Sequence, residues 1–309
     1  MDMNVATHPT LPAITDVDVA EAVRSTAILA DVTLALWGAE RTDRKIMDDA
    51  KAAAGAVGNV GRAIKNLMAG ADTDLRVVRS TFAQVRAQHY AMTLPWVSDP
   101  HAERQRGPRL LPNMLFDKYM TAMAGRRKVA IEALDAFVAS YPENAVLAQA
   151  NLAGLANPLD YPSPEAVRAH FRIAFDFEPV ASGAGFHGLP PAVMEKLEKG
   201  LQRKQEIMVA GANKAMWTEV GDRVRRLAER MADPEAQFKA PTVSGVQELT
   251  DMLPGWNVAH DPRVDEIMAD IEGMLAGVTP VQLRENLPLR ATVAAQAQAV
   301  TDKLAAWGL

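Results

Sequence analysis

Apolar residues recur at every third or fourth position over residues 46–92, and this spacing predicts two long helices. The first series is Ile46, Ala50, Ala53, Val57, Val60, Ile64 and Leu67. The second series is Leu75, Val78, Phe82, Val85, His89 and Met92. Because the polar stretch 70–74 separates them, the two series predict an antiparallel, coiled-coil-like helical hairpin over residues 44–92.

Three glycines lie within the first arm of this predicted hairpin. Gly55, Gly58 and Gly61 are three residues apart, and each costs about 1 kcal/mol of helix propensity relative to alanine. The first arm is therefore expected to be either tightly packed against its neighbour or broken near its middle.

Two segments alternate apolar and polar residues, which is typical of β-strands. The even positions of residues 25–37 are apolar, although several of the same residues also fit one face of a helix. In 171–179 the odd positions 171, 173, 175 and 177 are Phe, Ile, Phe and Phe. Because one short strand is not stable alone, we expect the two segments to pair.

The rest of the chain is expected to be helical. Residues 113–140 predict a helix with a basic turn or helix junction at 125–128, while four prolines exclude a regular element over 94–112. A long helix is expected from 190 to about 232, and further helices between 261 and 277 and at the C-terminus.

The predicted fold is mainly α, with a helical hairpin and a helical bundle that includes a small two-stranded β element. Residues 1–15 are expected to form a flexible N-terminus. Residues 16–156 form the predicted N-terminal region, with a strand, the basic hairpin 44–92 and the helix 113–140. Residues 157–309 form a C-terminal helical region with the strand 171–179.

The composition narrows the class of protein. The chain has 309 residues and no cysteine, which excludes disulfides, thiolate metal sites and cysteine nucleophiles. The first residues are acidic and polar, unlike a signal peptide, and no apolar run approaches the roughly 18 residues of a membrane span. We therefore expect a soluble, cytoplasmic protein that has no contact with a membrane.

No motif in the sequence points to catalysis or to a cofactor. The six histidines are scattered without a His-Glu-x-x-His pattern, and His89 is expected to be a core or interface residue. Neither Gly-x-Ser-x-Gly nor a phosphate-binding glycine loop occurs. The sequence therefore predicts a non-enzymatic protein with no metal and no cofactor.

The net charge of −5 hides an uneven distribution of charge along the chain. Residues 1–40 carry a net charge of −5, residues 41–128 carry +8 and residues 129–309 carry −8. A basic surface of this kind binds nucleic-acid phosphates or an acidic protein face, either in the same chain or in a neighbouring subunit. The candidate binding residues are Arg62, Lys65, Arg76, Arg79, Arg104, Arg106, Arg109, Arg126, Arg127 and Lys128.

Several short motifs resemble domain-of-unknown-function family 3150, which occurs in bacterial and phage genomes. They are Trp37-Gly38-Ala39-Glu40-Arg41, Arg109-Leu110-Leu111-Pro112, Tyr161-Pro162-Ser163, the strand 171–179, and Phe238 with Leu249, Leu253-Pro254, Asn257 and Asp261-Pro262. The resemblance covers about residues 25–275. It implies a helical protein with a small sheet, encoded by a phage or its bacterial host and neighbouring AAA+ ATPases and von Willebrand-type partners. It implies no catalytic residues.

Two functions follow as expectations, and an enzyme whose active site matches no known motif is the third and least favoured alternative. The first is a non-enzymatic helical adaptor or assembly protein, which forms a homo-oligomer or docks on a protein partner through the hairpin and the C-terminal helix. By the resemblance, that partner belongs to an AAA+ ATPase system. The alternative is an accessory protein that binds single- or double-stranded DNA, or RNA, through the basic surface of residues 41–128.

Overall fold

The structure is a computed structural model, and it describes residues 19–58, 61–98, 107–182, 188–233 and 241–309. Over these residues the protein is mainly α. The helices are α1 (Val19–Thr26), α2 (Arg44–Ala54), α3 (Thr73–Met92), α4 (Phe116–Leu152), α5 (Pro164–Ala169), α6 (Pro191–Ala232), α7 (Pro241–Trp256), α8 (Arg263–Leu275), α9 (Pro280–Glu285) and α10 (Leu287–Ala306). The strands are β1 (Ala27–Ala35), β2 (Glu40–Thr42), β3 (Ile64–Asn66), β4 (Leu94–Pro95), β5 (Arg109–Pro112) and β6 (Arg172–Pro179).

Both predicted strands are confirmed as β1 and β6, and they are neighbours in one sheet of strand order β4-β5-β1-β6. The expected two-stranded element is therefore larger than predicted. Two short strands from 94–112 join it, with β5 antiparallel to both β1 and β4. The prediction of no regular element there was wrong, because two short strands fit between the prolines. Strand β4 ends at Pro95 and strand β5 ends at Pro112.

The chain forms two compact units, neither of which is a continuous segment. Unit 1 comprises Met1–Asp31, Met92–Asp117 and Phe177–Leu309. Unit 2 comprises Val32–Ala91 and Lys118–Asp176. Several predictions fall outside the described residues: those for 1–15, Val60, Arg104, Arg106 and Phe238.

The helical hairpin predicted over 44–92 is wrong in its first arm and right in its second. Helix α2 ends at Ala54, and Gly55 closes it in the left-handed conformation, with φ +62°. Gly58 and Gly61 also have positive φ values, of 97° and 143°, which glycine adopts without steric cost. The chain then enters β3, which pairs with β2 as a second, two-stranded sheet. Of the two outcomes expected for this arm, the structure therefore shows the break.

Helix α3 forms the predicted second arm, and its apolar series builds the core of unit 2. Leu75, Val78, Phe82 and Val85 are each at most 1% exposed. His89 is buried as expected, and its Nδ1 lies 2.9 Å from the Tyr119 hydroxyl. A cluster of aromatic side chains from α3, α4 and the flanking segments completes this core, and consists of Trp37, Phe82, Phe137, Tyr141 and Phe171.

Helix α4 extends beyond the predicted helix 113–140 and ends at Leu152. The predicted basic turn or junction at 125–128 is wrong, since these residues lie inside the helix with exposed side chains. Gly125 costs only about 1 kcal/mol of helix propensity relative to alanine. Because Met123 and Ala130 are buried on either side of it, the helix continues through this position.

In unit 1, α6 packs against α7 and α10, and α8 packs against α7 and α10. The predicted helices at 190–232 and 261–277 and the C-terminal helix are confirmed as α6, α8 and α10. The apolar series of α10, Val293, Ala297, Val300 and Leu304, is buried in this bundle. Among the described residues, no helix is long and apolar enough to span a membrane.

Candidate nucleic-acid interface

The structure describes eight of the ten candidate binding residues, and their surroundings differ. Arg109 belongs to unit 1, whereas the other seven belong to unit 2. Two of the eight, Arg109 and Lys65, donate hydrogen bonds to other groups of the protein. The remaining six, all exposed, are Arg62, Arg76, Arg79, Arg126, Arg127 and Lys128.

Arg109 holds β5 beside the residue that follows α3. Its Nε donates to the Thr93 hydroxyl at 2.7 Å, and its Nη2 donates to the Thr93 carbonyl at 2.8 Å. These bonds occupy one edge of the guanidinium group, so that Arg109 stabilises the β4–β5 connection.

Lys65 is also occupied, because its ammonium group is enclosed by three oxygen acceptors. Residue 65 lies in β3 opposite Arg41 of β2, and only 5% of its side chain is exposed. Its Nζ lies 3.1 Å from Asp43 Oδ2, 2.8 Å from Asp160 Oδ2 and 3.0 Å from the Leu155 carbonyl. An ammonium group has three N–H donors, and all three are used. The prediction that Lys65 contacts a partner is therefore not supported by its position.

We call Lys65, Asp43 and Asp160 the lysine cluster, and its electrostatics favour the charged forms of Lys65 and Asp43. The hydrogen bond with Asp160 raises the pKa of Lys65, against the opposing effect of burial. The hydrogen bond from the Ile46 backbone N–H, and then the one from Lys65, lower the pKa of Asp43. Burial raises the pKa of the nearby Tyr161 hydroxyl, which has no hydrogen-bond partner among the described residues. The cluster thus connects the β2–β3 sheet to the turn at 157–160 by ion pairs.

The exposed cations of α3 lie on one face of that helix. At about 100° per residue, Arg76, Arg79, Arg86 and Tyr90 fall within an arc of about 80°. Ala83 lies between them in the same arc, and all five residues are exposed. We call Arg76, Arg79, Arg86 and Tyr90 the α3 stripe.

Few acidic groups neutralise the α3 stripe. Arg76 Nε lies 3.4 Å from Asp72 Oδ2, and both side chains remain partly exposed. Arg79 Nη2 donates to the Gly38 carbonyl at 2.8 Å, which leaves its charge uncompensated. Arg86 makes no ion pair with any residue that the structure describes. The stripe therefore carries a net positive charge.

The only acidic residue within α3 points away from the stripe. The carboxylate of Asp74 accepts hydrogen bonds from the Ser140 hydroxyl at 2.5 Å and from Asn144 Nδ2 at 3.4 Å, both in α4. It therefore binds α3 to α4 on the opposite side of the helix from the arginines.

Basic residues of α4 adjoin the exposed face of α3. Arg126 donates to Gln84 and Gln88 of α3, at 3.3 Å in each case. Arg127 is exposed, and Lys128 is 78% exposed with Glu132 4.0 Å away. Arg62 is exposed in the segment before β3, outside both helices.

The sequence interpretation missed Arg86, although this arginine of α3 is exposed and makes no ion pair with any described residue. The signal was present, because positions 76, 79, 86 and 90 are separated by three, seven and four residues, which is the spacing of one helix face. Among the described residues, no group of three or more His, Asp or Glu side chains is placed to hold a metal ion.

A scan against protein-family models gives no match for this chain, and searches of curated proteins and of solved structures give none either. The resemblance to family 3150 therefore stays a prediction.

Proposed function

We propose that this protein binds nucleic acid without catalysis, and that the α3 stripe contacts the sugar–phosphate backbone. The observation that carries the proposal is the stripe itself: three arginines and a tyrosine share one exposed arc of α3 that contains no acidic residue of the helix.

The chemistry of the stripe suits phosphates. A guanidinium group donates two parallel hydrogen bonds to one phosphate group, and it remains charged at every physiological pH. Arg76 and Arg86 are about 15 Å apart along the helix axis, at about 1.5 Å per residue. A nucleic-acid backbone presents several phosphates over that length, so that each arginine can reach one of them.

Tyr90 adds a second kind of contact at one end of the stripe. Its side chain is 46% exposed, although most aromatic side chains of unit 2 are in the core. Aromatic rings stack on bases that are not paired, so that Tyr90 would favour single-stranded over double-stranded nucleic acid. Phosphate contacts of this type carry no sequence information, and we expect little sequence specificity.

The charge of unit 2 supports attraction to a polyanion. The unit contains 15 Lys and Arg against 12 Asp and Glu, a net charge of +3, in a chain of net charge −5. A net positive charge increases the rate at which a protein associates with a polyanion such as nucleic acid.

Fluorescence anisotropy with labelled single- and double-stranded DNA at low salt tests the proposal. The test variant is Arg76→Gln with Arg79→Gln and Arg86→Gln, and the matched control changes Lys196, Arg203 and Lys204 of α6 to Gln. We expect at least a tenfold loss of affinity in the test variant and none in the control. Absence of binding by the native chain, or equally tight binding to polyglutamate, would refute the proposal.

A second candidate is self-assembly, which one observation in α6 favours. No residue of α6 before Gln205 is buried, whereas from Gln205 onward one face of the helix is. Leu197, on the same face, is 38% exposed. The surfaces first expected for assembly do not support it, because the hairpin is absent and the apolar series of α10 is buried.

Light scattering at two concentrations tests self-assembly. We expect a concentration-dependent mass that Leu197→Asp lowers to that of a monomer, while Ala192→Asp, on the other side of α6, leaves the mass unchanged. A native chain that stays monomeric at both concentrations would exclude assembly through this face.

A further inference from the structure

A cavity of about 640 Å³ opens on unit 2 beside the lysine cluster. Its size is that of a small-molecule site. The lining residues come from β2, the start of α2, β3 and the turn at 157–160, and they are Glu40, Arg41, Thr42, Asp43, Arg44, Lys65, Asn157 and Asp160. All of them are charged or polar, so that an apolar ligand does not fit.

The two aspartates of this cavity are already occupied. Asp43 accepts hydrogen bonds from the Ile46 N–H at 3.2 Å and from Lys65. Asp160 accepts from Lys65, and its second oxygen lies 3.6 Å from Arg41 Nε. The negative charges of these two aspartates are therefore balanced by protein groups, whereas Glu40 makes no ion pair with any described residue. Asp43 is also the N-cap residue of α2.

The groups that remain unused are mostly hydrogen-bond donors. Arg44 is exposed and makes no ion pair with any described residue. Arg41 makes only the distant pair with Asp160, and its side chain is 65% exposed. The Asn157 Oδ1 accepts from the Leu159 N–H at 3.1 Å, which leaves the amide nitrogen as a donor. Two guanidinium groups and an amide in one polar cavity match the oxygens of a phosphate group.

We propose that this cavity binds a phosphate group through Arg41 and Arg44, either as inorganic phosphate or as the terminal phosphate of a nucleotide. For inorganic phosphate, Glu40 of the lining gives the site its selectivity over sulfate, because its carboxylate accepts a hydrogen bond from the O–H that inorganic phosphate keeps at neutral pH. Sulfate carries no proton at neutral pH, and the same carboxylate repels it. The site shares no residue with the α3 stripe.

Isothermal titration calorimetry of the full chain at constant ionic strength tests the site, with inorganic phosphate, adenosine monophosphate and sulfate as probes. We expect saturable binding of at least one phosphate probe and weaker binding of sulfate, and the tighter phosphate probe identifies the source. Arg44→Gln should weaken phosphate binding about tenfold or more, because a charged hydrogen bond is lost. Glu40→Gln should reduce the preference for phosphate over sulfate.

The control is Lys45→Gln, which removes the same charge from the next residue of α2, outside the cavity lining. It should leave phosphate binding within about twofold of the native chain. The α3 variant of Arg76, Arg79 and Arg86 should also bind phosphate normally, which separates this site from the proposed nucleic-acid interface. No saturable heat with either phosphate probe, or an equal loss in Lys45→Gln and Arg44→Gln, would overturn the proposal.

Discussion

Replacing Lys65 with methionine should lower the free energy of unfolding of unit 2. The loss should be larger than for the removal of any other single charge in that unit. Methionine keeps the length of the side chain and removes the ammonium group that three oxygens share. Asp43 and Asp160, whose side chains are 18% and 11% exposed, then lose the cation that they share. Among the described residues, only the 65% exposed Arg41, with its Nε 3.6 Å from Asp160, remains beside them. Removing one partner of a buried ion pair costs about 3–5 kcal/mol, and the partial exposure of the aspartates places this case near about 3 kcal/mol.

Urea denaturation followed by far-ultraviolet circular dichroism measures this loss. With a typical slope of about 1–3 kcal/mol per molar urea, the unfolding midpoint should fall by about 1–3 M. Hydrogen exchange localises it, because the amides of Asp43 and Leu67, which bond across the ends of the β2–β3 pair, should lose protection first. Lys45→Met, an exposed change in α2, is the control and should shift the midpoint little.

The loss should depend on pH in a defined direction. The lowered pKa of Asp43 stabilises the fold above about pH 4, and this contribution is lost as the pH falls through the folded-state pKa. The raised pKa of Lys65 stabilises the fold below about pH 10, and this contribution is lost as the pH rises through the folded-state pKa. The difference between Lys65→Met and the native chain should thus be greatest between these limits. A loss below about 1 kcal/mol at neutral pH, or a loss unchanged at pH 3, would refute this account of the cluster.

Two further predictions concern unit 1. Gly255→Ala should lower the free energy of unfolding by about 1–3 kcal/mol in urea titrations, because its new Cβ would lie 2.9 Å from Leu115 Cγ. The control is Gly245→Ala on the same helix, where a Cβ would meet open space, and it should be neutral or stabilising. Asp261→Asn should cost about 1–3 kcal/mol at pH 7, since Asp261 accepts from Arg263 and Trp217. Burial raises the pKa of Asp261, but these bonds outweigh it and lower the pKa overall, so the cost of Asp261→Asn should shrink as the pH falls below 4. A Gly255→Ala variant as stable as Gly245→Ala, or a pH-independent cost at Asp261, would contradict these contacts.

The helices of this fold follow from the sequence wherever large apolar residues are regularly spaced. Helix α3 is an example, since Leu75, Val78 and Phe82 are all buried as the spacing requires. The first arm of the predicted hairpin shows why spacing alone is not sufficient. Val57 and Ile64 fit the series, but they are 96% and 61% exposed, because positive φ values at the intervening glycines turn the chain away.

Other features have no local signal in the sequence. Strands β4 and β5 are two and four residues long, which is too short to show an alternation of apolar and polar residues. They are defined instead by the antiparallel pairing of β5 with both β4 and β1. In the sequence Lys65 resembles its exposed neighbours, because nothing near it in the chain shows that Asp160 comes close to it. Ion pairs between distant segments depend on the tertiary fold, and so the binding surface could be predicted only as a region of charge.

The salt dependence of DNA binding tests the central claim most directly. Each phosphate contact contributes a slope of about −0.9 to a plot of log affinity against log salt concentration for duplex DNA. If Arg76, Arg79 and Arg86 each bind one phosphate, the triple glutamine variant should reduce the steepness of that slope by about 2–3. A variant slope equal to that of the native chain would show that the α3 stripe does not contact the backbone.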